Sequence, residues 1–184
     1  AWFDLSSEPV VEEAAADIEG RRILIVDDNP TNRRILDVSL ASRGALTLAV
    51  SSGAEAIAAL DRAYAEGRPF DVAILDYMMP DMDGLATAAA MAKRPWRESL
   101  VMLLLSSAAG STQEREQARA FGFAAIMLKP VEQAELLPAI GRALRQAKVV
   151  VSTDDGPEAH PAQRSLDVLL VEEGPVNKRM ARAL

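Results

Sequence analysis

The chain has 184 residues, of which 49% are hydrophobic and 26% charged, enough for one globular domain with extra segments and too few for two average ones. Its net charge of -7 argues against binding a nucleic-acid backbone as the main task, and no apolar run approaches the roughly 20 residues that span a bilayer. Cysteine is absent, which excludes disulfides and thiolate metal sites and fits a reducing, cytoplasmic setting; the N-terminus also lacks the basic-then-apolar order of a secretory signal.

Residues 1–20 carry six acids and no base, and read as an acidic, alanine-rich linker in which Trp2-Phe3-Asp4-Leu5 is the end of a strand from something upstream. From Arg22 the pattern becomes regular. Ile23-Leu24-Ile25-Val26 is an unbroken apolar run that ends in Asp27-Asp28, as expected of a strand buried on both faces. Asn29-Pro30-Thr31-Asn32 opens a helix with proline near its first turn, and Leu36 and Leu40 share one face of it. Ala45 to Val50 is a second strand; Ser52 caps a helix in which Ile57, Leu60 and Tyr64 are predicted to share a face. Phe70 to Leu75 is a third strand, ending at Asp76, and a loop with Pro80 and Gly84 leads to an alanine-rich helix near Leu85–Lys93. Leu100 to Leu105 is a fourth strand, ending at Ser106-Ser107, after which Ser111 or Thr112 caps a helix. Ala124 to Leu128 is a fifth strand, ending at Lys129-Pro130. The last helix runs from about Gln133 to Gln146, and Pro138 within it predicts a kink or a late start, because proline deletes one backbone bond.

Strands alternating with helices in this way predict an α/β fold with a five-stranded parallel sheet covered by helices on both faces. Ligands bind such sheets at the carboxyl ends of the strands, where Asp27, Asp28, Asp76, Ser106 and Lys129 all fall. The predicted domain covers residues 21–148, followed by a linker over 149–166 that is rich in Asp, Gly, Pro and Ser and holds the single histidine, His160. Residues 167–184 then begin the pattern again: Asp167 to Arg179 aligns without gaps on Arg22 to Arg34, with proline and asparagine recurring in register. This predicts the truncated start of a second copy, with Glu172-Glu173 in place of the acidic pair.

Carboxylates converging at strand ends repel one another, and a hard dication such as Mg2+ relieves this through oxygen ligands. Lys129 adds a point cation to the same mouth. A carboxylate is a competent nucleophile toward phosphorus, and phosphoryl transfer needs chiefly positioning and charge neutralisation. Asp27, Asp28, Asp76, Ser106 and Lys129 therefore make chemical sense together as nucleophile, metal cage, hydroxyl donor and cation.

The stretches Ile23–Arg34 (ILIVDDNPTNRR), Ala73–Gly84 (AILDYMMPDMDG), Met102–Ser107 (MLLLSS) and Met127-Leu128-Lys129-Pro130 resemble, in order, the motifs of response-regulator receiver domains of two-component signalling. The resemblance covers residues 22–148 and implies a flavodoxin-like, doubly wound fold. It implies that Asp76 is the phosphoacceptor, that Asp28 and Asp76 bind Mg2+ through side chains and Met78 through its backbone carbonyl, and that Asp27 holds the metal through water. Ser106 is implied to hydrogen-bond the phosphoryl group, Lys129 to pair with its oxygens, and the Lys129–Pro130 bond to be cis. It further implies that the domain catalyses its own phosphorylation and dephosphorylation, and that its donor is a histidine kinase core or a histidine phosphotransfer protein. The usual partner face in such domains is the helix from Ser111 to Phe121 together with the last helix.

The Asp-Asp-Asn-Pro-x-Asn order and the second copy resemble hybrid sensor histidine kinases, which implies the first of two receivers in a longer transferase; Trp2 to Leu5 resembles the tail of a kinase ATP-binding domain. One position departs from the pattern: where receivers often carry Tyr or Phe three residues before the lysine, this chain has Ile126, which puts the usual aromatic switch in doubt. Met78 and Ala108 flank the expected path of an attacking water and orient it poorly, which predicts a long-lived phosphoryl group. Two alternatives stay open: a pseudo-receiver that binds partners without being phosphorylated, and an aspartate-nucleophile phosphatase of the haloacid-dehalogenase type. Asp27-Asp28-Asn29-Pro30-Thr31 lacks the Asp-x-Asp-x-Thr spacing of the latter.

Overall fold

The computed structural model describes residues 18–107 and 112–151, with side chains described up to 107 and over 113–147. The expected linkers over 1–17 and 152–166, Ala108, Ser111, His160 and the second copy at 167–184 lie outside the described residues. In chain order the elements are β1 (Arg22–Val26), α1 (Pro30–Ala41), β2 (Leu46–Val50), α2 (Gly53–Ala65), β3 (Val72–Asp76), α3 (Gly84–Met91), β4 (Val101–Ser106), α4 (Thr112–Ala120), β5 (Phe123–Leu128) and α5 (Gln133–Val151). The strands form one sheet in the order β2-β1-β3-β4-β5, each pair parallel. This is the doubly wound, flavodoxin-like arrangement.

The unbroken apolar runs are explained by the two cores they feed. Leu24, Val26, Ala73, Leu75, Met102 and Leu104 face one way, against Ala56, Leu60, Ala88, Met91 and Ala118 of α2, α3 and α4. Their neighbours Ile23, Ile25, Val72, Ile74, Leu103 and Leu105 face the other way, against Leu36 and Leu40 of α1 and Leu136, Leu137 and Ile140 of α5. Successive strand residues point to opposite faces, so a strand covered on both sides has no polar alternation. Each fully buried leucine or isoleucine contributes about 1.5–3 kcal/mol relative to exposure. The sheet's outer edge, β2, differs: Leu46 and Leu48 are exposed.

Helix starts follow local chemistry. Asn29 caps α1, its side-chain oxygen accepting from the Thr31 and Asn32 N–H groups, with Pro30 in the first turn. Ser52 caps α2 by accepting from Glu55 N–H, and Asp83 caps α3 by accepting from Ala86 N–H at 2.7 Å.

Three expectations are corrected, and one element is added. Tyr64 is 46% exposed, not part of the inward face of α2; Ala56, Leu60 and Ala63 are buried instead, because small alanines bring the helix close to the sheet and turn the large ring outward. The last helix does not start late: it begins at Gln133, runs through Pro138 and continues to Val151, beyond the expected helix end near Gln146. Ile18, in the stretch expected to be linker, is buried with the α1–α5 core, and Gly20 N–H donates to Gly44 O at 2.8 Å, which ties the start of the domain to the turn before β2. A 3-10 turn at Arg97–Ser99, absent from the sequence reading, follows a buried Trp96 whose indole N–H donates to Asp61 at 2.8 Å.

Candidate functional site

The strand order places the end of β1 beside the end of β3, at the point where the chain's winding reverses. Such a reversal opens a crevice at the strands' carboxyl ends, and the acidic residues gather there. Asp27 follows β1, Asp76 closes β3, Ser106 closes β4 and Lys129 follows β5. Asp27, Asp76 and Ser106 are buried, with 0%, 3% and 5% of their surface exposed, while Asp28 is exposed. One carboxylate oxygen from each of Asp27, Asp28 and Asp76 lies within 4.8 Å of the others.

Lys129 is the hub of the cluster. Its ammonium lies 2.8 Å from Asp27 Oδ2 and 2.8 Å from Asp76 Oδ2, bridging two buried carboxylates. The peptide bond from Lys129 to Pro130 is cis, as the resemblance implied, and Lys129 N–H donates to Ser106 O at 2.7 Å. Burial pushes the Asp76 carboxyl above the ordinary range, and Asp27 adds to the rise, although Lys129 and the Met78 N–H pull against it. Burial alone would lower the Lys129 ammonium, but hydrogen bonds and charge attraction from Asp27 and Asp76 outweigh it and hold its pKa above the ordinary value.

Asp27 is further held by the Asn29 N–H at 2.8 Å and by the Asn32 side-chain amide, at 3.4 Å from Oδ1 and 3.3 Å from Oδ2. Arg33 donates to the carbonyls of Asp27 at 2.6 Å and Asp28 at 2.9 Å, and so fixes the backbone that carries both acids. Neither Asn32 nor Arg33 was among the site residues expected from the sequence. Their signal is position: the first turn of a helix that opens directly after an acidic strand end can reach back to it. Met78 N–H donates to Asp76 Oδ1 at 3.2 Å, and its side chain is 63% exposed. Gly84 is required by close approach, since a Cβ there would lie 2.6 Å from Asp76 O and 2.8 Å from Leu104 Cδ1. Ile126 is partly buried against the core on the α2–α4 side. An apolar cleft beside the site is walled by Ile35, Leu36, Leu105, Pro130 and Val131, with Asp27, Asn32 and Lys129 at its polar side.

The donor set is three carboxylates with no imidazole or thiolate among them, one acid being open to solvent. Oxygen-only donors suit a hard dication of the Mg2+ type that keeps part of its water shell. Among the described residues no helix is long and apolar enough to cross a membrane.

Comparison with known proteins agrees with this geometry. The family model for the response regulator receiver domain matches residues 23–141. The chain is 31% identical over 117 residues to hybrid signal transduction histidine kinase L of Dictyostelium discoideum, a match that covers 62% of this chain and 7% of that protein. It is 31% identical over 123 residues to the sensor protein TorS of Escherichia coli, covering 67% of this chain and 13% of that one. The chain thus spans only a small part of the length of these curated relatives. Among solved structures, chemotaxis protein CheY4 of Vibrio cholerae superposes with a TM-score of 0.60 at 26% identity, covering 67% of this chain and 98% of that one. A sensor protein from Polaromonas superposes with a TM-score of 0.61 at 25% identity, covering 69% and 98%.

Proposed function

Since the chain belongs to the response regulator receiver domain family of two-component signalling, we propose that it takes a phosphoryl group from a phosphohistidine onto Asp76 with the help of Mg2+. The observation that carries this reading is the bridging of Asp27 and Asp76 by Lys129 at 2.8 Å each, beside a third carboxylate on Asp28. Asp28, Asp76 and the Met78 backbone carbonyl would hold the metal, with Asp27 acting through water. Bound there, Mg2+ supplies positive charge for the oxygens of the transferring group.

The chain's own residues supply the rest. An Asp76 carboxylate oxygen forms the bond to phosphorus as the P–N bond of the donor breaks, its electron pair leaving on the imidazole nitrogen. Lys129 shifts from the free carboxylate to the phosphoryl oxygens, and the Ser106 hydroxyl donates to another of them. Asn32 and the Asn29 N–H keep Asp27 oriented while Lys129 moves. The apolar cleft beside Lys129, with exposed Ile35 on its rim, supports the approach of a donor helix at that side.

The donor is a histidine kinase core or a histidine phosphotransfer protein, and the setting is the cytoplasmic part of a hybrid sensor kinase. The likeness to two proteins whose names describe sensors or hybrid kinases supports that setting, and so does the recurrence of the β1–α1 sequence at residues 167–179, which we read as the start of a second receiver.

The test is to incubate the protein with Mg2+ and acetyl phosphate and to map the modification by mass spectrometry. Labelling at Asp76 that disappears in Asp76→Asn is expected. Absence of labelling at every Mg2+ concentration tried would favour a receiver that binds partners without phosphorylation.

A further inference from the structure

Ile126 stands where receivers often carry Tyr or Phe, three residues before Lys129. A different aromatic residue reaches from the neighbourhood of Asp76 to α4. Tyr77 directly follows Asp76, and its hydroxyl donates to Glu114 Oε1 of α4 at 2.9 Å, across 37 residues of sequence. We propose that Tyr77 and Glu114 together form the coupling element of this domain, carrying the state of Asp76 to α4 in place of a ring at position 126. This rests on Asp76 being the acceptor.

Three observations converge on it. First, the Tyr77 backbone is held at both ends of the site: its N–H donates to Leu105 O at 2.7 Å, one residue before Ser106, and its carbonyl accepts from Gly84 N–H at 3.1 Å. Displacement of the β4 end that carries Ser106 therefore acts directly on Tyr77. Second, the Tyr77 ring packs against the same core as Ile126, whose strand position pairs with Leu104 and so faces the α4 side of the sheet. Ring volume on that side is supplied by the residue beside the acceptor.

Third, the apolar anchor of α4 among the described residues is small. From Gln113 to Ala120 its one buried side chain is Ala118, and Glu114 lies one helical turn earlier on the same inward face. A helix with so small an apolar anchor can shift at low cost, and a polar contact in its first turn can bias the position it takes. Tyr77 is thus a positioning residue that acts on α4, and takes no part in the transfer of phosphate.

The experiment uses the full chain, 15N-labelled, with Mg2+ and beryllofluoride as the phosphoryl analogue. In the wild type, amides over 113–120 should shift when the analogue binds. In Tyr77→Phe, which keeps the ring and loses the hydroxyl, the analogue should still bind, while the shifts over 113–120 fall to about half or less. Glu114→Ala should behave likewise, and Glu114→Gln, which retains an acceptor oxygen, should restore most of the response. Binding with undiminished α4 shifts in Tyr77→Phe, or with no α4 shift in the wild type, overturns this inference and leaves Asp76 as acceptor intact. Failure of the wild type to bind the analogue overturns both.

Discussion

Lys129 Nζ and Asp76 Oδ2 lie 2.8 Å apart, joining the end of β5 to the end of β3, and the same ammonium holds Asp27 at an equal distance. Two buried carboxylates thus share one cation. Removing it leaves like charges facing each other in a poorly solvated pocket.

Lys129→Met is therefore expected to destabilise the fold by about 3 kcal/mol, the lower end of the range for breaking a buried ion pair from one side. Urea unfolding in the absence of divalent ions measures it. Addition of Mg2+ should recover part of the loss, because a dication relieves the same repulsion. A variant as stable as the wild type without Mg2+ would show that Lys129 is not the counter-ion that holds the pocket.

Asp27 and Asp28 should separate in their effects. Asp28 is exposed, so Asp28→Asn is expected to lower Mg2+ affinity by about tenfold or more while leaving the urea midpoint nearly unchanged. Asp27→Asn removes the charge that Lys129, Asn32 and the Asn29 N–H all address, and should change both. Titration calorimetry beside the unfolding curves distinguishes the two; equal stability losses would contradict the assignment.

Gly84→Ala should cost about 1–3 kcal/mol, the usual range for overpacking. The added Cβ would stand 2.6 Å from the Asp76 carbonyl, which is backbone and cannot swing aside. The start of α3 must then move, so Asp76 labelling should slow along with the fall in thermal midpoint. Normal stability and labelling together would show that the approach is looser than described.

Glu55 offers a pH test away from the site. The Ser51 N–H and hydroxyl donate to its carboxylate at 2.8 and 3.0 Å, and these bonds, the backbone one first, hold its pKa below the ordinary glutamate value. Its contribution to stability is present above the ordinary value and is lost as pH falls through the lowered one. A carboxyl NMR titration should find the lowered midpoint, and Ser51→Ala should recover only part of the shift because the backbone donor remains. A wild-type midpoint at or above that of a free glutamate would refute the contact.

Much of this molecule is legible along the chain. Parallel strands covered on both faces must be continuously apolar, so Ile23–Val26 and Met102–Leu105 announce themselves, and the first polar residue after each run marks a carboxyl end. That alone places Asp27, Asp76, Ser106 and Lys129 at one rim of a sheet. The helix caps at Asn29 and Ser52 are equally local, since the groups they satisfy lie two or three residues away.

What the tertiary structure decided are the pairings between distant positions. Lys129 meets Asp27 across 102 residues because the order β2-β1-β3-β4-β5 brings the ends of β1, β3 and β5 around one pocket, and periodicity carries no information about strand order. Tyr64 faces outward against its hydrophobic spacing because alanines at 56 and 63 set the helix's rotation by packing. Ile18 looked like linker because a single apolar residue in an acidic stretch has no period to reveal it. The bond from Tyr77 to Glu114 was hidden for the same reason: which way a side chain leaves a loop, and what stands there to meet it, is settled only when strands and helices are packed.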